Sequence, residues 1–281
     1  MDFSDVINFS DYDKLLPLVT NSLIAGALLA LIGGLVGVFV MNRELSFAVH
    51  GISELSFAGA AVFLLVGLDV VLGSVIGSLT AAGIIAFLGD RARDRNSIVA
   101  VLMPFGLGIG ILALALYPGR AANKFGLLTG QIVAVDDPKL GAMALISGIV
   151  LVSLVLMWRP LTFASLDAEV AEARGVKTTF LGIAFVMLLG LAVAAAVQIV
   201  GALLVLALLV TPAAAALRLS SSQLWVPVMS VLFAMVAMVG GTLLALGGTL
   251  PISPYVTTIS FTIYLIARLI AWARAKREVV R

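Results

Sequence analysis

Nine long apolar stretches follow one another along this chain of 281 residues. Each is about 20 residues long or slightly longer, which is the length that an α-helix needs to cross the hydrocarbon core of a bilayer. They run over 17–41, 46–67, 70–89, 97–117, 140–158, 178–197, 199–217, 224–246 and 253–273. Such segments must satisfy their backbone polar groups internally, and helices do so. The sequence therefore predicts an all-α, polytopic transmembrane helical bundle of about nine spans.

The composition is incompatible with a soluble globular domain. Of all residues, 62% are hydrophobic and 11% are charged, whereas soluble domains carry about 25% charged residues. The formal net charge of +2 offers no electrostatic basis for binding nucleic acid. Cysteine is absent, which excludes disulfides, thiolate metal ligands and thiol catalysis. Because no internal repeat is evident, we expect a single transmembrane domain over residues 1–281.

Small residues mark packing faces and one weak boundary within the apolar stretches. Glycines recur four residues apart in three spans, which lets membrane helices approach closely. These pairs are Gly33 and Gly37, Gly73 and Gly77, and Gly106 and Gly110. The sixth and seventh spans are nearly continuous, since only Gln198 and Gly201 interrupt the apolar sequence between them. We interpret the glycine pairs as structural and expect no chemistry from them.

Basic residues indicate the orientation of the chain. Lys and Arg concentrate in the connections after odd-numbered spans, which is typical of the cytoplasmic side. They are Arg43, Arg91, Arg93, Arg95, Arg159, Arg174, Lys177, Arg218, Arg274, Lys276, Arg277 and Arg281. Arg120 and Lys124 are exceptions. We expect a multi-pass protein of the cell membrane with its N-terminus outside and its C-terminus in the cytoplasm. The first 16 residues are acidic, so we expect no secretory signal peptide.

Two connections are long enough to have structure of their own. The outer connection, 118–139, contains a mildly apolar stretch over 125–133, which predicts a short re-entrant or interfacial helix. The cytoplasmic connection, 159–177, contains good helix formers over 166–174. We expect Ser165 to cap the start of this helix and a glycine, Gly175, to end it. A short helix lying along the membrane surface is therefore predicted in the cytoplasmic loop.

One pair of ionisable residues lies inside the second span. His50, the single histidine of the chain, precedes Glu54 by four residues, so a helix places both side chains on one face. Charge in hydrocarbon is costly, and such residues usually face a cavity, a partner or a transport path. Imidazole and carboxylate together suit zinc, manganese or iron(II). The sequence therefore predicts metal or proton handling by this pair.

Other interpretations of the polar residues stay open. His50 and Glu54 can instead bond to each other or to a neighbouring helix and hold the bundle together, or form the proton relay of a proton-coupled secondary transporter. Asp69, Asp136 and Asp137 fall at predicted helix ends, where solvated termini or N-caps explain them. A nucleotide-binding P-loop is missing, because Gly175-Val-Lys-Thr lacks the required first glycine. If ATP drives the protein, another subunit binds it.

Three stretches carry a resemblance to a known family. The first is Leu166-Asp-Ala-Glu-Val-Ala-Glu-Ala-Arg-Gly175-Val, and the others are Val197-Gln-Ile-Val-Gly-Ala-Leu-Leu-Val205 and Leu209-Val-Thr-Pro-Ala-Ala-Ala-Ala216. Pro251-Ile-Ser-Pro254 adds a late proline-rich turn. Over nearly its whole length the chain resembles the permease subunits of the ABC importers for zinc, manganese and iron. The resemblance implies a fold like that of type II ABC importers.

The resemblance also implies partners and residue roles. Its loop residues Asp167, Glu169, Ala171 and Gly175 look like the element that such permeases press into their ATPase. The implied partners are cytoplasmic ATPase subunits, an extracellular metal-binding protein and a second copy of the chain. The family commonly has Leu-Ser-x3-Asp-x3-His in the second span, and here His50 and Glu54 stand at the Asp and His positions. Both replacements can ligate a divalent ion, so we expect them to contact the transported metal, with manganese or zinc, or else iron, as cargo. No bound cofactor and no catalytic residue are implied.

Overall fold

The chain folds into a series of long helices. The computed structural model describes residues 12–89, 92–119, 126–127, 135–246 and 251–279. Within this part, eight helices are long and apolar enough to cross a membrane. In chain order the helices are α1 (Thr20–Asn42), α2 (Ser46–Leu65), α3 (Val70–Leu88), α4 (Ala92–Leu116), α5 (Asp137–Leu166), α6 (Ala168–Ala173), α7 (Thr178–Val200), α8 (Val205–Leu209), α9 (Thr211–Leu219), α10 (Trp225–Ala245) and α11 (Ile252–Val279). A helical turn (Tyr12–Leu15) and a 3-10 turn (Leu16–Val19) lead into α1. The prediction of an all-α transmembrane protein is confirmed.

The predicted seventh span is not one continuous helix in the structure. The preceding helix α7 ends at Val200, and Gly201 adopts a φ of 80°, which glycine reaches without steric cost. A 3-10 turn (Ala202–Leu204), α8 and α9 then replace a single long helix. The stretch Val205–Leu219 is shorter than the other spans, and a helix of that length rises only about 22 Å. The break between the sixth and seventh spans thus lies at Gly201, whereas Gln198 belongs to α7, which continues three residues beyond the predicted end at 197.

The helix α5 is the longest in the described part of the chain. It spans 30 residues, and at 1.5 Å per residue it is about 45 Å long, against about 30 Å of hydrocarbon in a bilayer. It continues eight residues beyond the predicted fifth span, passing through Arg159 and Pro160 without interruption. Its start is capped as the sequence suggested, because Asp136 Oδ1 accepts a hydrogen bond from the Lys139 amide at 3.1 Å. Asp69 caps α3 similarly, accepting from the Leu72 amide at 2.7 Å.

The chain divides into two compact units. The first comprises Met1–Met41, Ile132–Leu140 and Leu206–Arg281, and the second comprises Asn42–Gln131 and Gly141–Val205. The second unit thus contains α2, α3, α4, α6, α7 and most of α5. The single domain expected over residues 1–281 stays a prediction.

Glycines bring the helices of the second unit into backbone contact. A methyl group placed on Gly77 of α3 would overlap the carbonyl oxygen of Leu55 in α2, and one on Gly59 would overlap the carbonyl oxygen of Gly73. On the other side of α2, a methyl group on Gly106 of α4 would lie 2.7 Å from Leu55 Cδ1. The predicted packing faces of α3 and α4 are confirmed, and α2 lies between them.

Glycines also allow close helix packing in the first unit. A methyl group on Gly34 of α1 would lie 2.6 Å from the Cα atom of Val231 in α10. Beside it, the buried hydroxyl of Ser230 donates to the Gly34 carbonyl at 2.7 Å. One turn further along α1, a methyl group on Gly37 would overlap the carbonyl oxygen of Leu209. Close approach of backbones therefore shapes the core of each unit.

Two sequence-based expectations fall outside the described residues. One is the short helix predicted over 125–133, of which the structure describes only residues 126–127. The other is the acidic N-terminal segment, of which residues 1–11 are not described.

Candidate functional site

The predicted pair of ionisable residues lies in the middle of α2. Its side chains point to the same side of the helix, with His50 Nε2 at 3.8 Å from Glu54 Oε1. The side chain of His50 is 27% exposed and that of Glu54 is 4% exposed. Two ligands held at about 2.1 Å from one shared ion lie at most about 4.2 Å apart. The observed separation is therefore compatible with one divalent ion contacting both atoms.

The remaining polar atoms of the pair are left without hydrogen bonds. His50 Nδ1 and Glu54 Oε2 are both buried, and neither has a hydrogen-bond partner among the described residues. Nearby Ser53 does not supply one, because its hydroxyl donates to the His50 backbone carbonyl at 2.8 Å. Buried polar atoms are nearly always satisfied, and an exception calls for an explanation such as a ligand. This pattern argues against the alternative in which the pair hydrogen-bonds to a neighbouring helix.

The pair on its own makes a sparse metal site. Among the residues that the structure describes, no group of three or more His, Cys, Asp or Glu side chains lies close enough to hold an ion. Two protein ligands leave several positions of a divalent ion to water or to other oxygen atoms. Weak coordination of this kind suits a path through which an ion must pass, because an ion that binds too tightly does not leave.

Helix α4 packs closely against the part of α2 that carries His50 and Glu54. A methyl group on Gly106 would lie 3.1 Å from the carbonyl carbon of Glu54, and one on Gly51 would lie 2.8 Å from Val99 Cγ1. Next to this contact, α2, α3 and α4 line an open cavity of about 220 Å³. Its lining is apolar and includes Phe63 and Phe105 but neither member of the pair. The cavity is therefore separate from the candidate metal site.

The second candidate element is the loop helix α6. Its first amide groups are capped by Asp167, whose Oδ1 accepts from the Val170 amide at 3.0 Å. Its end is a Schellman motif, in which the Val176 amide donates to the Ala171 carbonyl at 3.0 Å and the Gly175 amide to the Glu172 carbonyl at 2.9 Å. The φ of 86° at Gly175 explains why glycine stands there. The predicted stop is confirmed.

The predicted start of this helix is wrong. The N-cap is Asp167, whereas Ser165 still belongs to the last turn of α5, where its hydroxyl donates to the Leu161 carbonyl at 2.6 Å. The cause is the length of α5. Because that helix continues to Leu166, the first residue with an extended backbone and a free side chain for capping is Asp167.

The exposed face of α6 is acidic and apolar. Of the four residues predicted for coupling, Asp167, Glu169 and Gly175 are exposed, whereas Ala171 is fully buried against the protein. The sequence-based prediction did not include Leu166 and Val170, which are 70% and 46% exposed. Their only signal in the sequence is an apolar residue in a loop, which is weak because exposed apolar residues are common.

Comparison with known proteins gives a consistent set of relatives. The model of the ABC 3 transport family matches residues 16–271. The manganese transport system membrane protein MntC of Halalkalibacterium halodurans is 29% identical over 227 residues, covering 80% of this chain and 77% of its own. The manganese import system permease protein ScaB of Streptococcus parasanguinis is 27% identical over 206 residues, covering 73% of each chain.

Solved structures show the same likeness. The structure described as PsaBC from Streptococcus pneumoniae in complex with Fab matches with a TM-score of 0.80 and 25% identity, covering 92% of each chain. An inward-facing conformation of a putative metal-chelate type ABC transporter matches with a TM-score of 0.70 and 19% identity, covering 94% of this chain and 92% of the other. At that lower identity the second match shows the fold alone.

Proposed function

The chain belongs to the ABC 3 transport family, and from this premise we propose that it is the membrane permease of an ATP-driven importer of divalent metal ions. The observation that carries the assignment of the cargo is the His50–Glu54 pair, whose Nε2 and Oε1 atoms lie 3.8 Å apart in a helix long enough to span the membrane. Membership of this family argues against the proton-coupled secondary transporter that the pair alone left open.

The cargo that fits best is manganese. A single imidazole nitrogen and a carboxylate suit manganese, zinc and iron(II). Thiolate ligands, which would favour softer ions, are absent from the chain. Two of the relatives described above are named as manganese transport proteins. We therefore place manganese first, with zinc and iron(II) as the ions against which uptake is to be compared.

The proposed energy source and partners rest on the missing P-loop and on the family to which the chain belongs. The sequence has no P-loop, so ATP is bound and hydrolysed on separate ATPase subunits. An extracellular binding protein delivers the ion, and two copies of the permease form the membrane part. With the N-terminus outside and the C-terminus in the cytoplasm, α6 lies on the cytoplasmic side and presents Glu169 and Val170 to the ATPase.

The pair on α2 forms a transient binding site for the ion. An ion released at the outer mouth exchanges part of its water shell for His50 Nε2 and a Glu54 oxygen. Movement of α6 by the ATPase changes the helices around the pair and opens the path to the cytoplasm. The carboxylate supplies the negative charge that a divalent ion requires at low dielectric, and the sparse ligand set lets it leave.

The test begins with a tagged chain purified from its native membrane together with whatever subunits accompany it. The complex is reconstituted into vesicles, and uptake of manganese, zinc and iron(II) is measured with ATP, with a non-hydrolysable analogue and with a protonophore. Uptake that requires hydrolysis and survives the protonophore supports the proposal. Uptake that is abolished by the protonophore and indifferent to ATP contradicts it.

The caps of α6 give a prediction about the ATPase contact. Asp167→Ala removes the N-cap and is expected to destabilise this six-residue helix by about 1 kcal/mol. Because a short helix has little other stability, the docking surface frays and less ATPase subunit is retained per permease after detergent purification. Glu172→Ala, which removes one exposed negative charge from the same helix without touching a cap, is the matched control. Equal retention by the two variants would contradict the prediction.

A further inference from the structure

One guanidinium group contacts several helices of the second unit. Arg43 directly follows α1 and is half-buried. Its Nη1 donates to Ser165 Oγ at 3.4 Å. Its Cζ lies 6.0 Å from the centroid of the Phe185 ring. A methyl group on Gly182 would lie 3.3 Å from its Nη2, so the absence of a side chain there leaves room for the guanidinium.

These contacts fall on both sides of the loop helix. Ser165 is in the last turn of α5, two residues before the N-cap of α6. Gly182 and Phe185 are in the first two turns of α7, the helix that follows the loop. The Arg43 side chain therefore contacts the helix that enters α6 and the helix that leaves it.

The backbone of Arg43 leads directly to the candidate metal site. Arg95 of α4 donates from Nη2 to the Arg43 carbonyl at 3.4 Å. The next residue, Glu44, has a φ of 56°, a left-handed conformation that is unfavourable for a residue with a side chain. Leu45 is buried, and α2 begins at Ser46. His50 follows about one turn later, so a displacement of Arg43 is passed to the helix that carries the pair.

The environment of Arg43 is energetically unfavourable for a charged side chain. Burial, with the positive charge of Arg95 nearby as the smaller cause, lowers the pKa of the Arg43 guanidinium. Among the described residues no carboxylate forms an ion pair with it. Holding a cation in such a place is costly, and a well-packed apolar side chain is often at least as stabilising. What arginine offers here is a planar group with several donors in a fixed arrangement.

We propose that Arg43 is a positioning residue that transmits the movement of α6 to the His50–Glu54 pair. It holds the two helices flanking α6 to the start of α2, so that a shift of the loop helix by the ATPase displaces the metal ligands. This inference rests on the proposed function. It adds the residue through which hydrolysis and metal movement are coupled.

The test measures both activities in the same vesicles. Reconstituted complexes containing the wild-type chain, Arg43→Ala, Arg43→Lys or Arg159→Ala are assayed for ATP hydrolysis and for manganese uptake, and the ratio of ions moved to ATP hydrolysed is compared. Arg159 is an exposed arginine of α5, six residues before Ser165, and serves as the control. We expect Arg43→Ala to lower the ratio by about tenfold, a typical size for coupling between two sites, while hydrolysis continues.

Two further variants test which property of the Arg43 side chain and which of its contacts matter. Arg43→Lys keeps the charge and hydrogen-bond donors on a single nitrogen but not the planar group over Phe185, so it is expected to restore part of the ratio. Ser165→Ala removes only a hydroxyl and tests the contact even if Arg43→Ala fails to assemble. It is expected to lower the ratio less than Arg43→Ala does, and to add nothing when combined with it.

The outcomes are distinguishable. A wild-type complex without ATP-driven uptake overturns the proposed function and this inference with it. Normal wild-type uptake together with an unchanged ratio in Arg43→Ala, or in Ser165→Ala where the former does not assemble, overturns the inference alone. A parallel fall of hydrolysis and uptake in the variants, which leaves the ratio intact, identifies a structural role and also overturns it.

Discussion

Replacing both His50 and Glu54 by alanine is expected to abolish most ATP-driven metal uptake by the reconstituted complex. Even the loss of groups that merely orient metal ligands costs about 10- to 100-fold in affinity or activity, and this variant removes the two atoms facing each other across 3.8 Å. Membrane insertion and retention of the ATPase subunit should be unaffected, because the pair makes no hydrogen bond to a neighbouring helix among the described residues. Uptake at the wild-type level would refute the assignment of the site.

A finer substitution separates charge from packing in the same site. Glu54→Gln preserves the volume of the side chain and one of its oxygens, so the packing of α2 against α4 is retained. A loss of uptake in this variant is then attributable to the missing negative charge. Ser53→Ala is the matched control, since Ser53 is buried next to Glu54 but donates only to the backbone of its own helix. We expect that variant to transport normally.

Substitutions of two glycines in α3 are expected to have very different effects on stability. Gly77→Ala places a methyl group on the Leu55 carbonyl oxygen. A backbone atom cannot move away by changing rotamer, so we expect a loss at the upper end of the range for overpacking, about 3 kcal/mol. Gly83→Ala, in the same helix, meets nothing within 4 Å. It should be neutral or stabilise the protein by up to about 1 kcal/mol, since alanine is the better helix former.

Thermal unfolding of the purified variants in one detergent is the measurement that checks this pair. The midpoint of Gly77→Ala should fall well below that of the wild-type protein, while that of Gly83→Ala should equal or exceed it. The comparison holds composition, helix and detergent constant, and only the neighbour of the added methyl group differs. Similar midpoints for the two variants would show that α2 and α3 do not approach as closely as the structure has them.

The architecture was predictable where one physical constraint acts over many residues. Bilayer thickness requires a long apolar helix, so the span around His50, predicted over 46–67, was found at Ser46–Leu65. The interrupted form of the seventh span has one signal in the sequence, which the single span predicted over 199–217 did not take into account. Pro212 lies in the first turn of α9, where proline is tolerated, whereas inside a continuous helix it would remove a backbone hydrogen bond.

The candidate site was predictable only where local helix geometry determines it. The four-residue spacing of His50 and Glu54 needs only the geometry of one helix. The contacts of Arg43 with Ser165 and Phe185 join residues more than a hundred positions apart, and no local pattern encodes them. The prediction of Ser165 as an N-cap was wrong because the apolar stretch of the fifth span was predicted to end at residue 158, whereas α5 continues to Leu166.

The unusual length of α5 has a practical consequence for every assay of this permease. A helix about 45 Å long must tilt in a bilayer or project from it, and the balance between the two depends on lipid chain length. Only Asp167 stands between its last residue and α6. Under the proposed function, the tilt of α5 sets the height and angle at which α6 is presented to the ATPase, which makes membrane thickness an experimental variable. We expect vesicles made from lipids of different acyl length to differ in coupling, so comparisons between variants require one lipid throughout.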